Sequence, residues 1–287
     1  MANFPTSPAV GEQFSTSKVT YRWNGSAWDI VEGVKQGTVK ESVGGGADVK
    51  LLLHAEDTTD SSMSGHTVTF SGDTATSSTK KKFGSTSFYF DGTSDYIDCP
   101  DSDDFDFGTG DFTIELWFNT DQTTADPDGW WRRIFSLKQA GNSGTNLQVA
   151  YNTGGTNKLW SWFNDGEYGE YGDAITDGNW HHLAVVRASG TLTIYVDGVS
   201  KDSRAYAHNL TGCQPRFGTI GNDATLGNFE GYMDEIRITK GTAQYTGNFS
   251  VATEAFTNPA LAPVGNLQFT EGSEPDATAG ASTLYAT

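Results

Sequence analysis

The sequence predicts an all-β protein, an antiparallel β-sandwich, on three observations. Aromatic residues make up 13% of the 287 residues, and 34 glycines stand among many Ser and Thr while good helix formers are scarce. That balance favours short strands joined by tight turns. Short apolar runs alternate with a period of two: in "FTIELWFNT", Phe112, Ile114, Leu116 and Phe118 fall on one face and Thr113, Glu115, Trp117 and Asn119 on the other. No stretch sustains the apolar stripe of an amphipathic helix.

The elements follow in chain order. Residues 1–33 read as a small N-terminal β-hairpin module, "VTYRW-NG-SAWDI", in which Asn24-Gly25 supplies the positive φ angles of a type I′ turn. About thirty residues cannot bury a core alone. The aromatic residues Phe4, Tyr21, Trp23 and Trp28 are therefore candidates for anchoring the module, on the main domain or on another chain. Residues 34–47 form a Gly-rich linker. From 48 to 257 the chain is a series of strand-and-turn signals: "VKLLLHAED", then "FYFDGTSDYIDC" as two strands around a Gly turn, then "KLWSWFND", "HHLAVVRA", "TLTIYVDG" and "GYMDEIRIT". Residues 258–287 are small, polar and without period, an irregular C-terminal arm.

Charge and cysteine content narrow the function classes. Eighteen basic residues against 36 acidic ones give a net charge of −18, which repels polyanions, so nucleic acid is not the expected partner. No apolar run reaches the length of a membrane span, and "MANFPTSPAV" lacks the basic and apolar regions of a signal peptide. Cys99 and Cys213 have no metal-ligand spacing; they form one disulfide or a buried reduced pair.

The segments "KLLLHAED", "KFGSTSFYFDGTSDYIDCPDSDDFDFGTGDFTIELWF", "NWHHLAVVRASGTLTIYVDG" and "GYMDEIRITKGTAQYTGNFSVATEAF" occur in one order over residues 48–256. They resemble the laminin-G-like, concanavalin A-like jelly rolls found in many phage and bacterial surface proteins. The ending "DEIRITKG-A-YT-NF" resembles versions from tailed-phage genomes, and "FPTSP…VTYRWNGSAW" resembles short modules that open phage tail-fibre proteins. The resemblance implies a virion structural protein, on capsid or tail, displaying a glycan-binding-type jelly roll for host-surface adhesion or particle stabilisation. Its partners would be other virion proteins, reached through the N-terminal module and C-terminal arm, in a homo-oligomer on the virion surface. The alternatives are a bacterial surface lectin or adhesin and a polysaccharide depolymerase. In resembling jelly rolls a structural Ca²⁺ often ties the N-terminal strand to the penultimate one, which points here to Asp57, Asp60 and Asp234. The residues Glu56-Asp57 stand where a Gly is common in the family.

Three further sites are weighed from the residues themselves. Neighbouring side chains of a strand point to opposite faces, so His181 and His182 cannot converge on one metal. Glycan binding needs aromatic platforms beside polar groups. The loops "DQTTADPDGWWRR" and "NDGEYGEYGD" supply Trp130, Trp131, Arg132, Arg133, Tyr168 and Tyr171, and Trp117, Trp160 and Trp162 are candidates to face outward from their strands. Retaining glycoside hydrolysis needs two carboxyls about 5 Å apart. Glu115 is the only acid on the strand 112–120, so an enzyme is not expected.

Overall fold

A computed structural model describes residues 13–15, 20–23, 28–32, 48–123, 131–139, 145–152, 156–163, 166–220 and 226–257. The chain divides into two compact units, Met1–Glu41 with Pro263–Thr287, and Ser42–Ala262. The first contains strands β1 (Gln13–Ser15), β2 (Thr20–Trp23) and β3 (Trp28–Glu32), paired antiparallel in that order. The expected hairpin is thus part of a three-stranded meander. Its register differs from the expectation as well. Trp23 lies opposite Trp28, Arg22 opposite Asp29 and Tyr21 opposite Ile30, so four residues, 24–27, connect the strands instead of two. A two-residue Asn24-Gly25 loop would set Trp23 against Ser26; the observed register places the two tryptophan positions opposite each other. Phe4 lies outside the described residues, as do the side chains of Tyr21, Trp23 and Trp28.

The second unit is an antiparallel sandwich of two sheets. One has seven strands in the order β13 (Gly166–Tyr171), β12 (Leu159–Phe163), β11 (Thr145–Tyr151), β10 (Arg132–Gln139), β17 (Cys213–Phe217), β8 (Tyr96–Asp98) and β5 (Thr69–Ser71). The other runs β16 (Val199–Ala205), β15 (Thr191–Val196), β14 (Trp180–Ala188), β9 (Phe112–Asn119), β18 (Glu230–Lys240), β7 (Ser87–Asp91) and β6 (Ala75–Ser77), with β4 (Val49–Leu53) also paired to β18. Phe88, Phe118, Leu183 and Ile238 of one sheet meet Phe135, Val149, Leu159 and Phe217 of the other in a single core. Among the described residues, the sole helical element is a one-turn 3-10 segment, Asp103–Phe105, and no helix is long and apolar enough to cross a membrane. Cys99 and Cys213 are both buried.

Local chemistry explains the turns. Ser189-Gly190 and Asp197-Gly198 are two-residue hairpin connections with φ of 48° and 77°, and 51° and 75°. Positive φ at both positions is the type I′ pattern that matches strand twist. The stretch "FYFDGTSDYIDC" departs from a hairpin, because β7 and β8 belong to different sheets. Asp95, fully buried between them, accepts hydrogen bonds from Asp91 N (2.8 Å) and Asp73 N (2.6 Å), which folds the chain from one sheet to the other. Arg187 closes one end of the sandwich. Its guanidinium donates to the carbonyls of Gly110, His208, Phe107 and Gly108 and lies 4.9 Å from the Phe112 ring centre.

Residues 241–256 form a strap over the outer face of the eight-stranded sheet. Ala243, Tyr245 and Phe249 pack on Ala184, Val186 and Tyr195, while Val251, Ala252 and Phe256 pack around Val49, Leu52 and Trp117. The Tyr245 and Phe249 rings stack at 3.5 Å and 6°. This second layer is why β9 is buried at all eight positions although its residues alternate in polarity.

Candidate functional site

The outer face of the seven-stranded sheet carries the tryptophans. Leu159 and Phe163 point into the core, so their neighbours Trp160 and Trp162 point away from it. Trp131, just before β10, joins them: its ring centre lies 4.2 Å from Trp160 and 5.3 Å from Trp162, which are themselves 6.0 Å apart and nearly parallel at 26°. All three are half-buried. Arg133 holds the group together. Its guanidinium lies 5.2 Å from the Trp162 ring centre, its Nε donates to Gln148 Oε1 at 3.2 Å, and its Nη1 donates to the Trp131 carbonyl. Gly227 is required beside it, since at a φ of +64° a Cβ would sit 2.5 Å from Arg133 Nη1 and from the Trp131 carbonyl.

A polar row extends this face. Register places Trp162 opposite Gln148, Gln148 opposite Ser136, Ser136 opposite Arg216 and Arg216 opposite Asp98. Arg216 binds both oxygens of Asp98 at 2.8 and 2.6 Å, Lys138 reaches Asp98 Oδ2 at 2.9 Å, and Arg216 stacks 4.3 Å from the Tyr96 ring centre. Two cations on one carboxylate leave this row with a local positive charge in an acidic protein. Arg133, Gln148, Ser136 and Arg216 are themselves buried, so it is the half-buried indoles that can stack a sugar ring.

The expected glycan-binding residues scatter around this site. Trp131 belongs to it; Trp130 and the Tyr168 side chain lie outside the described residues. Arg132 is buried instead of facing the tryptophans, donating from Nη1 to the Asn228 carbonyl at 2.8 Å and lying 3.8 Å from Glu230. Tyr171 ends a strand where a loop was expected; it is buried in the core and its hydroxyl meets Ser161 Oγ. Trp117 faces outward from its own sheet but lies under the strap. Arg133, adjacent to the expected Arg132, is the cation that the structure brings to the indoles.

The histidines separate as the strand period requires. His182, fully buried under the strap, lies 3.2 Å from Glu115 Oε2, and the same oxygen accepts from Tyr245 Oη at 2.8 Å. Arg237 donates twice to Glu115 Oε1, at 2.9 and 2.6 Å. Burial raises the Glu115 carboxyl, but His182 and Arg237 more than offset it and hold the group below its ordinary range. Every oxygen of Glu115 is therefore engaged beneath the strap, away from the tryptophan face. His181 sits at the sheet end between Asp197 (2.8 Å) and Asp177 (3.1 Å). A cavity of about 180 Å³ opens there beside Tyr171, Ile175 and Val196. Ligand pockets of roughly 300–1,000 Å³ are the rule, so it is small for a saccharide.

Asp57, Asp60 and Asp234 do not fit one calcium site as placed. Both oxygens of Asp60 are filled by the amides of Leu52, Ser62 and His66 and the Ser62 hydroxyl, at 2.7–2.9 Å. Asp57 is exposed and caps Thr59 N. Glu56, next to it, binds Ser85 through its amide and hydroxyl. Asp234 is buried, and one oxygen accepts from Lys82 N (2.8 Å) and Phe83 N (3.1 Å) while the other has no partner. Burial pushes its carboxyl up to about 7. Among the described residues, no group of three or more His, Cys, Asp or Glu side chains is placed to hold a metal ion.

Residues 91–244 match the family profile of the concanavalin A-like lectin/glucanases superfamily. Among solved structures, the chain is similar to domain 4 of a GH43 extracellular arabinanase from Geobacillus stearothermophilus, at 20% identity over 69% of this chain and 94% of that one, with a TM-score of 0.48. It is also similar to the binding domain of Paraclostridial Mosquitocidal Protein 1, at 13% identity over 72% of this chain and 50% of that one, with a TM-score of 0.51. The chain thus spans about half of the latter domain. No curated protein sequence matches it.

Proposed function

Because the chain belongs to the concanavalin A-like lectin/glucanases superfamily, its site has to be read as a saccharide-binding face or as a hydrolytic centre, and we propose the former. The observation that carries this reading is the trio Trp131, Trp160 and Trp162, half-exposed and braced by Arg133 at the end of a row of polar side chains. On the edge strand, register sets Glu170 opposite Trp160 and Glu167 opposite Trp162; of the other nearby carboxylates, Asp98 is held by Arg216 and Lys138, and Glu115 faces the strap. Saccharide binding is the function that these indoles support. The test is a saccharide screen of the full chain, followed by the Trp160→Ala/Trp162→Ala variant. At least a tenfold loss of affinity in a folded variant is expected; undiminished affinity would contradict the reading.

The setting we propose is the surface of a phage particle, where the domain serves host adhesion or particle stabilisation. The support is the likeness of "DEIRITKG-A-YT-NF" and of the N-terminal "VTYRWNGSAW" to segments of tailed-phage proteins. In this setting, residues 1–33 attach the sandwich to other virion proteins as a homo-oligomer, and the tryptophan face is presented to host glycans. Deleting residues 1–33 should abolish incorporation into particles, as read by immunoblot of purified virions; unchanged incorporation would sink the proposal.

A further inference from the structure

We infer that the outer face of the eight-stranded sheet carries a second saccharide platform, built from Tyr89 and Tyr232 with Trp180 beyond the buried Asn119, and taking a neutral oligosaccharide. The inference rests on the reading of this domain as a glycan binder, but on different residues and on the opposite sheet. Register aligns the four across adjacent strands: Tyr89 on β7 is opposite Tyr232 on β18, Tyr232 opposite Asn119 on β9, and Asn119 opposite Trp180 on β14. Their neighbours Phe88, Met233 and Phe118 lie in the core, so the row points outward. Three strand spacings carry from Tyr89 to Trp180, about 14 Å, with the tyrosine pair as the accessible end.

The strap leaves the tyrosine end of this row uncovered, whereas Asn119 is buried between Tyr232 and Trp180. It roofs the sheet from Tyr195 to Trp117, and Trp180 packs partly at its margin. Beyond that margin Tyr89, 37% exposed, is the one exposed large aromatic among the described residues. Its ring centre lies 5.1 Å from that of Tyr232 at 44°, so the two rings form one shallow surface. Lys80 Nζ stands 5.6 Å from the Tyr232 ring centre and donates to Asn119 Oδ1 at 2.9 Å. Glu230, at the other side, is held by Gln122 Nε2.

This chemistry selects a sugar over other occupants. Aromatic rings take the C–H face of a pyranose. A hydroxyl both donates and accepts, and the platform offers the Lys80 ammonium on one side and the Glu230 carboxylate on the other. A polyanion would meet Glu230, Asp91 and Asp121, with Arg132 buried and already beside Glu230 and Lys80 beside Asp121. A protein interface of standard size would need a larger apolar centre than two tyrosines and the margin of one tryptophan.

The experiment is calorimetric titration of the full chain with cellotetraose, laminaritetraose, xylotetraose and arabinotetraose. Two sites per chain are expected for at least one of them. The variant Tyr89→Ala/Tyr232→Ala should lose one site, with at least a tenfold weakening, and Trp160→Ala/Trp162→Ala should lose the other. Should the double tyrosine variant fail to fold, the exposed single variant Tyr89→Ala is read in its place. Loss in the tryptophan variant alone overturns this inference and keeps the first reading; loss in the tyrosine variant alone keeps the inference and removes the tryptophan assignment. Binding of none of the four saccharides by the wild type overturns both as applied to neutral oligosaccharides.

Discussion

The two sheets bury their inner faces in one shared core and treat their outer faces in opposite ways. The eight-stranded sheet is roofed by the strap, and its outward charges are sealed beneath: Glu115 joins His182, Arg237 and Tyr245, and Glu235 joins His54 Nδ1 (2.9 Å) and Phe256 N (2.7 Å). The seven-stranded sheet is paved by its own long side chains, three indoles at one end and the Arg216–Asp98–Lys138 triad at the other. Beneath the strap, a buried glutamate and its partners tie one outer face together, whereas the other outer face presents half-buried indoles.

Breaking the roofed face should produce the largest effect. Glu115→Ala leaves Arg237 and His182 without their buried partner and is expected to cost about 3–5 kcal/mol in denaturant unfolding. Saccharide affinity of the folded fraction should be unaltered. A loss of affinity equal to that of the tryptophan variant would erase the distinction between the faces. The reciprocal change, Trp160→Ala/Trp162→Ala, should lower affinity at least tenfold while costing only roughly 1–2 kcal/mol of stability, because half-exposed side chains contribute less than buried ones.

The end of the sandwich adds a smaller, pH-dependent contribution. The hydrogen bond to Asp197 raises the His181 pKa above its free value of 6.5, opposed by burial and aided by Asp177. For Asp177, burial acts upward, but hydrogen bonds from Asn179 and His181 draw it down to about 2. The raised histidine contributes fully below about pH 6.5 and its contribution is lost as pH rises through the folded pKa. The lowered Asp177 contributes above about pH 4, and that part is lost only as pH falls towards about 2. The unfolding midpoint of the wild type should therefore decline from pH 6 to pH 8 more steeply than that of His181→Gln. Parallel slopes would show that the His181 clamp does not hold. The smallest effect concerns calcium. With Asp60 saturated by four protein donors and Asp57 exposed, neither Ca²⁺ nor EDTA should move the midpoint; a clear rise with Ca²⁺ would show a site formed by other ligands or by rearrangement.

The sandwich, its alternating strands and the division of His181 from His182 were legible from residue period alone, because pleat geometry is local. The layout beyond single strands was not. Whether β7 and β8 pair or part depends on the Asp95 carboxylate reaching Asp73, 22 residues away. The strap has no period of its own, and its hold comes from distant partners such as Glu115 for Tyr245. Sequence pointed to the indoles and to both Arg132 and Arg133 beside them, without separating the two arginines. Which of two adjacent arginines meets the tryptophans is decided by a register shift between Arg133 and Phe135, and nothing in "WWRRIF" marks a bulge. Tyr171 was expected in a loop because "GEYGEYG" is rich in Gly; pairing with β12 makes it a strand and turns that ring inward.

The most direct test of the two-face account is indole N–H chemical-shift mapping on the full chain titrated with a saccharide that it binds. The resonances of Trp160 and Trp162 should move in proportion to occupancy while that of Trp117, sealed under the strap, stays still. Movement of Trp117 with Trp160 and Trp162 unchanged would contradict the account.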